Sequence, residues 1–125
     1  MVKSYKDLIV WGKAMDLVEE VYRLSVRFPK EELYSLSNQV RRAVVSVPSN
    51  IAEGQARQSK AEFLNFLSMA QGSLAEVETQ LLLAIRLGYL LESDAQKAMQ
   101  LREEISKMLT ALRTKLTTPQ LTAGH

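Results

Sequence analysis

Cysteine is absent from the 125-residue chain, which removes disulfides, thiolate nucleophiles, zinc ribbons and iron–sulfur ligation together. Histidine occurs once, as the final residue His125. A helical di-iron site needs two Glu-x-x-His pairs, and zinc deaminases, zincins and Arg–His ribonucleases also need a histidine on an ordered element. The glycines, Gly12, Gly54, Gly72, Gly88 and Gly124, are scattered singly, so no phosphate-cradling loop is present. Three prolines and 6% aromatics make long helices easier to build than many short strands. No uncharged stretch approaches the roughly 18–20 residues of a membrane span. The longest apolar stretch is Leu81 to Ile85, and the N-terminus shows no apolar run before a small-residue cleavage site. The expectation is a cytoplasmic protein without cofactor or metal, and a net charge of +2 is too small to announce nucleic-acid binding by itself.

What is present reads as an all-α chain, a single-domain antiparallel up-and-down four-helix bundle over 1–118, with a C-terminal tail at 119–125. The spacing predicts helices near 5–28, 35–54, 59–88 and 93–117. In the first, Leu8, Trp11, Ala14, Met15, Val18, Val21 and Tyr22 recur at helical steps, and Pro29 ends the element because a residue before proline is pushed out of the helical region. The second is expected to open on a Ser35 cap and carries Leu36, Val40, Val44, Val47 and Ile51 on its oily face. Pro48 lies inside it and removes a backbone hydrogen bond, and Gly54 is read as its stop. Capping boxes at Ser59–Glu62 and Ser93–Gln96 open the third and fourth helices.

Gln39, Arg42, Ser46, Asn50 and Glu53 recur on the second helix at steps of three and four. At about 100° per residue they fall within roughly 80° of one another, some 120° from the centre of the apolar face. A solvated face is usually rich in Lys and Glu, whereas Gln, Asn, Ser and Arg suit directed hydrogen bonds between helices or subunits. Glu76 and Glu78 on the third helix are the expected partners, one of them ion-paired with Arg42. Arg41, Arg42, Arg57 and Lys60 form a modest basic patch and are the candidate nucleic-acid contacts, although phosphate binding usually recruits more cations and nearby stacking aromatics. Convergence of Glu53, Glu62, Glu76 and Glu78 is the one route left to catalysis, and spacing does not bring them together. The chain is expected not to be an enzyme.

The run ELYSLSNQ from Glu32 to Gln39, followed by RRAVVSVPSNIAEGQAR from Arg41 to Arg57, resembles the bacterial four-helix bundle family named for intervening sequences in large-subunit ribosomal RNA. DLIVWGKAMDLVEEVY near the start and FLSMAQGSLAEVETQLLLAIRLGYL later are similar to it as well, so the resemblance covers roughly Asp7 to Leu91. It implies signature positions at Gln39, Arg42, Ala43, Ser46, Pro48, Asn50, Ala52, Glu53 and Gly54, with Ser73, Glu76 and Glu78 on the third helix. Ser35 departs from the glycine usual there, an exchange between two acceptable caps. The resemblance further implies a bacterial cytoplasmic homopentamer of undefined molecular function. The family's fold is similar to that of the accessory protein of diversity-generating retroelements, which engages a reverse transcriptase and nucleic acid. The leading expectation is therefore a non-catalytic oligomeric scaffold or adaptor with no small-molecule substrate and no membrane contact. The alternative is a nucleic-acid-associated module using the basic patch.

Overall fold

Wherever apolar residues recur every three to four positions, the chain is helical. The computed structural model describes residues 4–118; the expected tail and His125 lie outside them. Helix α1 spans Ile9–Ser25, α2 Leu36–Ala56, α3 Lys60–Arg86 and α4 Gln96–Thr117. Short 3-10 turns at Tyr5–Asp7, Lys30–Glu32 and Glu92–Ala95 complete the regular structure of the described residues. Helix α2 packs against α1 and α3, and α4 packs against the same two, so α2 and α4 occupy opposite corners of the bundle. Leu17 and Leu24 from α1, Val44 and Ile51 from α2, Leu67, Leu74 and Leu81 from α3, and Ile105 and Leu109 from α4 are fully buried between them. Each such side chain contributes about 1.5–3 kcal/mol through burial.

The helix ends correct several expectations. Ser4 caps the first turn, and Leu8 is extended at ψ 122°, so α1 starts at Ile9 rather than near residue 5. Its other end falls at Ser25, three residues short of Phe28, and the chain turns there before Pro29. Ser35 does not cap α2 through its hydroxyl. Instead Ser35 Oγ donates to Glu32 Oε1 at 2.6 Å, and that oxygen accepts from the Leu36 amide at 3.3 Å. Ser59 does cap α3, accepting from the Glu62 amide at 3.1 Å. The expected Ser93 cap is replaced by Asp94, whose carboxylate accepts from the Leu91 amide at 2.8 Å and defines a 3-10 turn before α4. Gly88, at φ +80°, ends α3: its amide reaches the Ile85 carbonyl and the Tyr89 amide reaches Ala84, a closure that needs a left-handed residue.

Gly54 is not a stop. Helix α2 runs on to Ala56, and Gly54 is buried inside it, where an added Cβ would lie 2.8 Å from Phe66 Cβ and 3.0 Å from Phe63 Cδ1. The residue is small because α3 passes over it. Pro48 sits inside α2 as expected and is buried.

At one end of the bundle the α1–α2 and α3–α4 connections are fastened together. Tyr89 Oη donates to Glu32 Oε2 at 2.6 Å, the Tyr89 ring lies 5.8 Å from Phe28, and Arg27 pairs with Asp94 at 3.0 Å. Hydrogen bonds from Ser35, Tyr89 and the Leu36 amide hold the Glu32 carboxyl below its ordinary pKa. The Leu91 amide, then Arg27, do the same for Asp94. Groups with depressed folded pKa contribute stability that is present above the ordinary carboxylate range and is lost as pH falls through their folded values. The thermal midpoint is therefore expected to fall from about pH 5 to about pH 3. The same scan on Glu32→Gln/Asp94→Asn should show a shallower fall; an unchanged slope would assign the acid sensitivity elsewhere.

Candidate functional site

The polar stripe of α2 faces the outer seam with α3, because the apolar positions of both helices are drawn into the core about a third of a turn away. A groove of about 880 Å³ follows this seam, lined by Tyr34, Gln39, Arg42, Ser46 and Asn50 on one side and Met69, Ser73, Glu76 and Gln80 on the other. Its floor is made by side chains that bind backbone and each other. Ser46 Oγ donates to the Ala43 carbonyl at 2.7 Å and is hydrogen-bonded to the buried Ser73 hydroxyl, and Asn50 Nδ2 donates to the Ser46 carbonyl at 2.8 Å.

The upper part of the groove is different. Arg42 and Glu76 are both exposed and line it together, yet neither makes an ion pair within 4.0 Å. The expected pairing of Arg42 with Glu76 or Glu78 is thus not formed within the chain. Glu78 is turned to the opposite side of α3, where it meets Arg102 of α4 at 3.4 Å. The angle between Glu76 and Glu78, about 200° around the helix, is the reason. Gln80 Oε1, also in the groove, is buried without a protein donor. Glu53 leaves the stripe for Arg57 at 2.8 Å.

The four cations expected to form a basic patch do not act as one. Arg41 lies over the Tyr22 ring at 5.4 Å and donates to Ser25 at 2.8 Å. Arg57 stacks on Phe66 at 5.0 Å and is shared by Glu53 and Glu62. Arg42 opens into the groove near the start of α2, whereas Lys60 is at the first turn of α3, at the far end of the bundle. The carboxylates are equally dispersed. Glu53 and Glu62 share Arg57, Glu78 goes to Arg102, and Glu76 stands in the groove. Among the described residues, no group of three or more acidic or histidine side chains is placed to hold a metal ion. No helix among them is long and apolar enough to cross a membrane.

Sequence reasoning missed the polar tie between α3 and α4. Gln71 Nε2 donates to the Ser106 carbonyl at 3.0 Å and to Thr110 Oγ1 at 3.1 Å, while Ser106 Oγ donates back to Gln71 Oε1. Gln71 and Ser106 stand 35 residues apart in the chain, and no local spacing links them.

Four antiparallel helices with a polar seam rather than a chemical pocket define a helical-bundle protein. Its sequence matches the 23S rRNA-intervening sequence protein family over residues 6–111, and the chain belongs to that family. No curated protein matches it. The fold is also similar to the 1.70 Å crystal structure of a protein with unknown function from the S23 ribosomal protein family of Bacteroides thetaiotaomicron VPI-5482. The two share 26% identity with a TM-score of 0.76, over 88% of this chain and all (100%) of the other.

Proposed function

We propose that the protein is a non-catalytic scaffold or adaptor that works as an oligomer in the bacterial cytoplasm and uses the α2–α3 seam as a docking face. The observation that supports this reading is the groove itself. It presents a cation, an anion and a buried acceptor that the chain leaves without partners, beside the exposed Tyr34 and Met69. A partner that covers these polar groups must supply their donors and acceptors, since burial unpaired would cost about 1–3 kcal/mol each, and that requirement makes such a contact specific. The sequence resemblance, which implies a homopentamer, is in keeping with a role of this kind.

Light scattering at micromolar concentration is expected to return a multiple of the 14.1 kDa chain mass. A mass of one chain, unchanged on tenfold concentration, would sink the proposal.

The nucleic-acid reading has less to draw on. With Arg41 and Arg57 engaged within the chain, Arg42 and Lys60 remain, on separate parts of the surface. Binding to structured RNA across a salt series is expected to show a slope of at most about two per chain; a steeper slope would revive it.

A further inference from the structure

The seam between α3 and α4 opens into a groove of about 420 Å³ at the end of the bundle away from the Tyr89–Glu32 contact. Leu64, Asn65 and Ser68 line it from the first turns of α3, and Thr110, Arg113 and Thr114 from the last turns of α4. Each set falls within about 100° of helix surface, so the groove lies between two facing stripes. Toward the middle of the bundle it is closed by Gln71, whose Nε2 donates to Thr110 Oγ1 at 3.1 Å.

Its electrostatics differ from those of the other clefts. The α2–α3 groove contains Glu76, the cleft between α1 and α4 contains Asp16, Glu19 and Glu20, and the far end of the α3–α4 seam contains Glu92. Here Arg113 is the one charged side chain among the described lining residues. It is half-buried, and among the described residues its guanidinium has no acceptor. From Met108 to Thr117 α4 carries no acid, and Glu62, the one acid in the facing turns of α3, is taken by Arg57 at 3.6 Å. The hydroxyls follow the same pattern. A helical Ser or Thr can donate to a carbonyl three or four residues back, as Thr117 does to Thr114 and Arg113. Ser68, Thr110 and Thr114 donate to no acceptor among the described residues, and the Asn65 amide is equally unengaged. Thr110, already an acceptor for Gln71, keeps its own proton for the groove.

A guanidinium with hydroxyl and amide donors, and no carboxylate beside them, is a donor set for an oxyanion. The donors stand on both walls, which suits the three spread oxygens of a phosphate monoester better than a flat carboxylate. The groove is larger than a phosphate group alone and falls in the size range of small-ligand sites, and Leu64 offers apolar surface to the carbon part of a ligand. A nucleic-acid backbone needs a row of cations, whereas Arg113 is alone among the described lining residues. We infer that this groove binds a small organic phosphate monoester, with Arg113 as the charged anchor and Asn65, Ser68, Thr110 and Thr114 as hydrogen-bond donors. Among the described residues no carboxylate or histidine lines it to serve as a base, so the ligand is held rather than hydrolysed. Once bound, it bridges α3 to α4 at the end that lacks the Tyr89–Glu32 fastening.

Amide NMR spectra of the full chain are titrated with phenyl phosphate at constant ionic strength, and in parallel with benzoate and with oligothymidylate. Phenyl phosphate is expected to give saturable shifts centred on Asn65, Ser68, Thr110, Arg113 and Thr114, with benzoate at least about fivefold weaker. Arg113→Gln should weaken phenyl phosphate about twentyfold, and Ser68→Ala or Thr114→Val about fivefold each. Arg42→Gln, in the other groove, should leave the affinity unchanged. Ser68 and Thr114 are exposed, so their variants test the site even if Arg113→Gln does not fold. Absence of saturation by about 10 mM phenyl phosphate would overturn the assignment. So would shifts spread over Lys60, Lys107 and Lys115, equal affinity for benzoate, or a folded Arg113→Gln chain that binds as wild type does. Oligothymidylate that binds and is not displaced by phenyl phosphate would likewise replace a monoester site with a backbone contact.

Discussion

Gly54→Ala is expected to lose about 2 kcal/mol of stability, although alanine is the better helix former by about 1 kcal/mol. Helix α2 is continuous through this position, so propensity alone argues for a gain. Against it stands the 2.8 Å approach of the new Cβ to Phe66 Cβ, a carbon fixed to the α3 backbone that no rotamer change moves away. The Phe63 carbonyl, at 3.4 Å, is also backbone. Relief requires α2 and α3 to separate, and these are the helices whose seam forms the groove. Two measurements check the point: urea unfolding should shift to a lower midpoint, and assembly should weaken with it. A variant as stable as wild type, or more so, would mean that the helices part at little cost.

Leu74→Ala should cost more, about 3 kcal/mol, by loss of transfer energy and the cavity left behind. Leu74 is completely buried on α3, yet it stands next to Ser73 in the floor of the groove and two residues before exposed Glu76. The contrast between these neighbours is the useful part. Glu76→Gln should leave unfolding within about 0.5 kcal/mol of wild type while weakening assembly, and Leu74→Ala should do the reverse when compared at equal folded fraction. Chemical denaturation beside sedimentation measures both. Equal effects of the two substitutions on folding would contradict the assignment of one to the core and the other to a docking face.

Much of this division was legible from residue spacing. Periodicity placed all four helices, because each has one stripe drawn into a common core, and Ser59 announced the start of α3 because its partner Glu62 lies only three residues away. Spacing failed where the deciding contact is distant. Gly54 is read as a helix end until Phe63 and Phe66 are seen to pass over it. Ser35 is read as a cap until Glu32 takes the amide of Leu36 and is itself held by Tyr89, 57 residues on. The stripe from Gln39 to Glu53 was visible as a pattern, but its division into a satisfied floor and an open upper part was not. That division depends on Ser73 facing Ser46, and on Glu78 turning to α4 while Glu76 does not.

The fastening of the two connections through Glu32, Tyr89, Phe28, Arg27 and Asp94 exists at one end only. At the other, α2 and α3 are linked directly while α1 begins and α4 finishes. Opening motions should therefore start at that second end, with amide hydrogens near Lys60 and Thr114 exchanging by local fraying, while those around Leu24 and Ala84 exchange only in global unfolding. The bundle would come apart like a clothes-peg, hinged where its loops are tied.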